Sequence, residues 1–262
     1  MHQILIEYMH RNYLFVGALS LLFLGSSCRS HYVVTGIQRT RLLIDHRYDA
    51  HPDSEAEAFL APYQHDVDSI MSPIVGETAK PLSSFRPESP LSNLLSDILI
   101  WSGKKYNEHP VLAVYNMGGI RASFPQGKIT YGDVLEVAPF DNKICFLTLS
   151  GGQLMDLFRQ IARRHGEGLS HGVQLVITKD GQLNSARLNG KEIDSNAEYR
   201  VATLDYLAGG NDGLKALGEG SRLFSPQDME NNVRFIIMDF FKEKLSQGLS
   251  VNADIEGRIK VE

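Results

Sequence analysis

Leu91, Leu94, Leu95, Ile98 and Leu99 recur at three- and four-residue spacing, so they share one face of a helix. Ser89 and Pro90 stand just before them, a capping hydroxyl followed by a residue whose φ is already helical, and they mark where that helix begins. A second stripe, Leu154, Leu157, Phe158 and Ile161, follows Ser150-Gly-Gly-Gln153. That tetrad has the form of a capping box, in which the Ser hydroxyl takes the third amide and Gln reaches back. Ser54 to Ile70 reads as another helix, and Ser225-Pro226 as the start of a final one through Val233, Ile236, Ile237 and Phe240. Strands are predicted at Val111 to Tyr115, Lys143 to Leu149 and Tyr199 to Leu204, and over His31 to Asp45, which ends in RLLID. Val173, Leu175 and Ile177 alternate as in a half-buried strand, and Asp180-Gly181 and Asn189-Gly190 are hairpin turn pairs. Helices intermingled with short strands, and hairpins late in the chain, predict an α+β domain with a mixed or antiparallel sheet and flanking helices.

Composition narrows the function. The 262 residues are 43% hydrophobic and 22% charged, enough for a sizeable core. A net charge of -5 gives no basic footprint for duplex nucleic acid. Tyr13 to Gly25 is short for a membrane span, follows His10 and Arg11, and ends in small residues before Cys28, the build of an export signal. LGSSC, ending at Cys28, resembles a bacterial lipobox, with Gly25 where Leu is usual and Leu24 one place further out; simple secretion is the alternative. Translation from Met9 instead of Met1 leaves the same signal. The expected organisation is a lipoprotein signal over 1–28 with lipidation at Cys28, a tether over 29–40 and a folded domain over 41–262, placed in the bacterial cell envelope. Cys145, in KICFLTL, is expected to be a buried small hydrophobe, and with Cys28 lipidated no intramolecular disulfide is possible.

Three polar loops stand at strand ends. Val111 to Tyr115 runs into Asn116-Met-Gly-Gly-Ile-Arg121, where Gly118 and Gly119 permit close approach and the Arg121 guanidinium suits phosphate or carboxylate. Ala138-Pro-Phe-Asp-Asn142 places Phe140 beside two polar residues, and Asp205 to Gly213 (DYLAGGNDG) sets Tyr206 before a glycine-rich turn with Asp212. Two aromatic faces can sandwich a flat base, and a carboxylate accepts from sugar hydroxyls. The same residues also suit a core aromatic, a turn cap and a surface ion pair, and each loop alone leaves that choice open.

Taken in order, SPLSNLLSD, NMGGIR, ITYGDVLEVAPFDN, LSGGQL and DYLAGGNDG resemble the C-terminal, substrate-binding domain of the 5′-nucleotidase family, over about residues 40 to 258. The resemblance implies that Asn116 and Arg121 face the nucleoside and its ribose, that Phe140 and Tyr206 stack on the base, and that Asp212 contacts ribose hydroxyls. Arg86 stands near a family arginine that precedes the SPLSN-like segment. Tyr206 replaces a frequent Phe, and the family's GGDG is here Gly210-Asn211-Asp212-Gly213, with Asn as the non-glycine residue that best tolerates a left-handed backbone.

In that family two metal ions on an N-terminal calcineurin-like domain perform the hydrolysis. Asp49-Ala-His51 and Gly132-Asp133 are fragments of its signatures, but no Asn-His-Glu and no His-x-His accompanies them. No catalytic residue, metal or cofactor is therefore expected on this chain. Three readings stay open: the nucleotide-recognition half of a split phosphohydrolase whose divalent metals sit on a separate metallophosphoesterase subunit, a non-catalytic nucleotide- or nucleoside-binding envelope lipoprotein, and a domain kept for protein contacts.

Overall fold

A computed structural model describes residues 33–43, 45–50 and 52–262. The segment from Tyr13 to Cys28 and the residue His51 lie outside the described residues. The chain divides into two units, 1–54 and 55–262. In the first, residues 33–43 are irregular and exposed, so the strand expected over His31 to Asp45 is not formed there. RTRLL lacks the alternation that would turn one face inward, and Leu42 and Leu43 are exposed. Asp45 instead makes a local turn, accepting from the Arg47 amide and guanidinium.

Among the described residues, the regular structure begins at the boundary of the second unit. It opens with helix α1 (Ser54–Met71), strand β1 (Ile74–Thr78), α2 (Pro90–Ser102), β2 (Leu112–Tyr115), β3 (Gly127–Thr130), α3 (Tyr131–Val137) and β4 (Ile144–Ser150). It continues with α4 (Gly151–Arg163), β5 (Gly168–Leu169), β6 (Val173–Ile177), β7 (Leu183–Leu188), β8 (Lys191–Glu192) and β9 (Glu198–Leu204). Short helices α5 (Asp205–Ala208) and α6 (Lys215–Gly218), strand β10 (Ser221–Phe224), helix α7 (Val233–Ser246) and strand β11 (Ile259–Val261) complete it.

The central sheet has the order β10-β4-β9-β2-β5. β2 and β9 run parallel, and β4 is antiparallel to β9 over seven residue pairs from Ile144–Leu204 to Ser150–Glu198. A second sheet, β11-β6-β7-β8, pairs the chain's last strand in parallel with β6, and β1 and β3 form a separate antiparallel ribbon. The sheets are therefore mixed and the helices flank them, an α+β architecture. β2 is buried at every position, because α2 packs on it and on β5. A strand covered so completely reads as a continuous apolar run instead of an alternation.

Local chemistry sets the helix starts. Ser89 accepts the Ser92 amide and heads α2 as predicted, and Ser150 accepts the Gln153 amide while the Gln153 side chain accepts the Ser150 N–H. Leu154, Leu157, Phe158 and Ile161 of α4 are all buried. The last helix departs from expectation. It begins at Val233 because Asn232 caps it, whereas the Ser225 hydroxyl donates to the Ile144 carbonyl. Cys145 is buried in β4, as its surroundings in the sequence predict, and burial pushes its thiol up to about 12. α1 forms over the predicted span with no buried residue; Phe59, Leu60, Tyr63, Val67 and Ile70 are exposed along it. Among the described residues, no helix is long and apolar enough to cross a membrane.

Candidate functional site

Topology brings the three polar loops together. β2 and β9 are parallel neighbours, so Asn116 after Tyr115 and Tyr206 after Leu204 emerge at the same end of the sheet. β4 is antiparallel to β9 and pairs Ile144 with Leu204, which brings the Phe140 loop to that end as well. One cleft of about 210 Å³ results, lined by Asn116, Gly118, Gly119, Phe140, Asn142, Tyr206 and Asp212. Pockets that enclose a drug-sized ligand span roughly 300–1,000 Å³, so this cleft suits a ligand gripped by one part with the remainder in solvent.

The aromatic rings are set for contact and not for the core. Phe140 is 47% and Tyr206 41% exposed, and both line the cleft. Phe140 is placed through its neighbours. Asp141 accepts from Arg234 and from Asn232 Nδ2, Arg234 also donates to the Pro139 carbonyl, and the Val233 amide donates to the Asn142 carbonyl. The N-terminus of α7 thereby holds the Phe140 loop at four points.

Asp212 organises the opposite wall. Its Oδ2 accepts from Asn116 Nδ2 at 2.6 Å and its Oδ1 accepts from the Tyr206 hydroxyl at 3.0 Å. The carboxylate beside it raises the Tyr206 phenol above its ordinary range. Asp212 itself takes the left-handed backbone, at φ 55°, and Asn211 does not. The sequence rationale for Asn211 is corrected accordingly: its side chain closes the turn by donating to the Tyr206 carbonyl. Asn116 is 4% exposed, and its Oδ1 is buried without a partner.

The two glycines of NMGG differ in purpose. A Cβ on Gly119 would stand 2.6 Å from Asn116 Oδ1, so this glycine makes room for the buried amide. A Cβ on Gly118 would meet nothing closer than Asp212 Oδ2 at 3.6 Å, so this position opens toward the cleft.

Arg121 and Arg86 do not line the cleft. Arg121 is exposed at the end of the turn, with a 3.5 Å contact to the Gly118 carbonyl. Arg86 donates through Nε to the carbonyls of Arg164 and Gly166 and through Nη2 to Glu167 Oε1 at 2.7 Å. Glu167 escaped sequence reasoning. Its side chain is fully buried, Oε1 also takes Arg164 Nε at 2.5 Å, and Oε2 takes the Met117 amide at 2.5 Å. Burial lowers the Arg164 pKa, but the hydrogen bond and charge of Glu167 and the charges of Asp212 and Tyr206 outweigh it, and the net shift is upward. Two carboxylates thus fix the NMGG turn, Asp212 through the Asn116 side chain and Glu167 through the Met117 amide.

The family described as 5′-nucleotidase, C-terminal domain, matches residues 74–219, more than half of the chain. The chain belongs to the 5′-nucleotidase family, in its C-terminal domain. Among curated relatives, Protein UshA of Escherichia coli is 29% identical over 164 residues, covering 61% of this chain and 30% of UshA. The trifunctional nucleotide phosphoesterase protein YfkN of Bacillus subtilis is 27% identical over 246 residues, covering 84% of this chain and 16% of YfkN. The crystal structure of a 5′-nucleotidase precursor from Thermus thermophilus superposes with a TM-score of 0.69 at 27% identity, over 81% of this chain and 44% of that one. The chain spans less than a third of the length of these curated relatives. All three cleft-forming loops fall inside the span matched to the 5′-nucleotidase C-terminal domain. Among the described residues, no group of three or more His, Cys, Asp or Glu side chains is placed to hold a metal ion.

Proposed function

We propose that this domain is the nucleoside- and nucleotide-recognising half of a 5′-nucleotidase-like phosphohydrolase, with divalent metals and hydrolysis supplied by a separate metallophosphoesterase chain. The observation that carries this reading is the cleft itself. Two half-exposed rings, Phe140 and Tyr206, stand with an amide, Asn116, and a carboxylate, Asp212, around one opening of ring-sized volume. Flat bases stack on such faces, and the polar edge suits a sugar. The relationship to the nucleotide phosphoesterase YfkN and to the Thermus 5′-nucleotidase precursor supports the same ligand class.

The purified chain is expected to bind AMP and adenosine weakly by calorimetry and to release no phosphate from AMP with added Mn²⁺ or Mg²⁺. Stacking on an aromatic contributes about 1 to 3 kcal/mol per base, so Phe140→Ala should weaken binding roughly tenfold or more. Phosphate release that survives repurification overturns the split-enzyme reading. Unchanged binding by a folded Phe140→Ala protein overturns the base clamp. If the chain binds nucleosides, and no added metallophosphoesterase from the same source gains activity from it, the non-catalytic binding protein is the correct alternative.

We further propose export and lipid anchoring through Cys28, on the strength of the short apolar segment before it. In a bacterial host the wild-type protein should partition into detergent and Cys28→Ser should not. Both remaining in the aqueous phase, with cleavage at another residue, overturns the anchor.

A further inference from the structure

α1 (Ser54–Met71) has no buried residue, although Phe59, Leu60, Tyr63, Val67 and Ile70 lie along it and each is more than half exposed. Their three- and four-residue spacing gathers them on one face about 100° wide. The rings of Phe59 and Tyr63 stand 5.6 Å apart on it. Such a stripe offers roughly 500 Å² of apolar surface, near the upper range of what a monomer leaves in water. The helix is also poorly equipped to stand alone. Its 18 residues are close to the lower limit for a helix in water, and Pro62 removes a backbone hydrogen bond from its middle. Packing along the stripe supplies what propensity does not.

We infer that α1 is a dimerisation helix, joining two copies of this chain through an antiparallel, two-fold helix pair centred on Tyr63. Charge and register select the second copy. α1 carries Glu57, Asp66 and Asp68 and has no lysine or arginine, whereas a helix that lies on an anionic lipid surface needs basic residues on its polar face. Turned antiparallel about a two-fold axis at Tyr63, a second α1 brings its Val67 level with Phe59, its Phe59 level with Val67, and its Tyr63 level with Tyr63. A large ring thus meets a small branched side chain on either side of the axis. In the same register Glu57 comes level with Ser69 of the second copy, Asp66 with Leu60 and Asp68 with Ala58, so none of these carboxylates stands directly opposite another. The two stripes together cover about 1,000 Å², the area a specific interface needs. No α1 residue lines the cleft, and the inference is independent of what the cleft binds.

The test is sedimentation equilibrium of the full chain in its Cys28→Ser form, so that lipid at that position drives no association, with single cysteines on α1 as reporters. At tens of micromolar this protein should sediment with twice the chain's mass. Val67→Asp should weaken the pair by roughly tenfold or more, because it places a charge in the seam, and circular dichroism verifies that the domain stays folded. With a short bis-maleimide, Tyr63→Cys should cross-link to itself, and a mixture of Phe59→Cys and Val67→Cys should cross-link one to the other. His65→Cys, on the opposite face of the helix, should not cross-link, and Cys145 is buried. A chain that stays monomeric over that range overturns the inference. A dimer that Val67→Asp leaves intact, or that cross-links at His65→Cys and not at Tyr63→Cys, overturns it too, because the seam then lies elsewhere. Flotation of a monomer with phosphatidylglycerol vesicles, lost in Val67→Asp, assigns the stripe to lipid and likewise overturns it.

Discussion

Replacing Glu167 by alanine is expected to destabilise the domain by about 4 kcal/mol. The carboxylate is fully buried and receives the Met117 amide, Arg86 and Arg164. Its removal leaves the Met117 N–H buried without an acceptor, a loss of about 1 to 3 kcal/mol. It also leaves two guanidinium groups without the carboxylate that they share. Arg86 and Arg164 are 37% and 32% exposed, so water partly screens them, and the electrostatic part is smaller than for a fully buried pair. For a domain of this size the melting temperature should fall by roughly 8 to 16 °C. Glu167→Gln keeps an acceptor for Met117 but loses the charge, so it should fall about midway. Thermal and urea denaturation of the two variants measure this directly. A Glu167→Ala protein within 1 kcal/mol of wild type, on a scale where exposed substitutions cost about 0.5 kcal/mol, would show that the hub is dispensable. The same variant should also weaken nucleotide binding, because Met117 lies in the turn that presents Asn116 and Gly118 to the cleft.

Glu167 marks the boundary of what the sequence makes legible. It stands between Gly166 and Gly168, outside any periodic segment, and its partners Met117 and Arg86 are 50 and 81 residues away. Spacing rules reach one turn of a helix or two residues of a strand, so of the hub's contacts only Arg164 lies within their range. Gly166 is equally mute. It takes φ 110°, and a Cβ there would lie 2.2 Å from the Pro87 carbonyl oxygen, a requirement seen only once the chain is folded. The elements that were legible, α2, β2, β4, α4 and the β6–β7 hairpin, carry their own punctuation in Ser89-Pro90, Ser150 to Gln153 and Asp180-Gly181. α3 went unread although Thr130 and Asp133 form a capping box, because seven residues with two buried valines give too short a stripe. The false start at Ser225-Pro226 has the opposite cause. The local signal is genuine, but the Ser225 hydroxyl is better used against the Ile144 carbonyl, and Asn232 takes over the cap. The loops of the cleft were found through ordered motifs, whereas the bonds that set their geometry, Tyr206 to Asp212 and Asn116 to Asp212, depend on β2 and β9 being parallel neighbours.

Replacing Arg258 by methionine should release the C-terminal strand and destabilise the domain by about 3 kcal/mol. Arg258 is 3% exposed and grips Asp97 with both terminal nitrogens, at 3.0 and 2.7 Å, while Nε donates to Glu256 and Nη1 to the Leu169 carbonyl. Those bonds join β11 to α2 and β5. A second buried carboxylate, Glu88, reinforces the junction by accepting the Glu256 amide and Asn93 Nδ2. Methionine fills much of the arginine stem's volume and supplies none of the donors, so Asp97 and Glu256 lose their counter-charge. The effect should depend on pH with a definite sign. Burial alone would raise the Glu256 carboxyl, but the hydrogen bonds from Arg258 and His171, with their charges, outweigh it and hold the group below its ordinary range. A carboxylate depressed in the folded state contributes stability above its unfolded pKa, about 4.3 for Glu, and loses it as pH falls through the lower folded value. The difference in stability between wild type and Arg258→Met should therefore be largest near neutrality and shrink in acid below about pH 4. Urea denaturation of both proteins at neutral pH and at successively lower pH reads it out, and a difference that stays constant or grows in acid would remove Glu256 from the account.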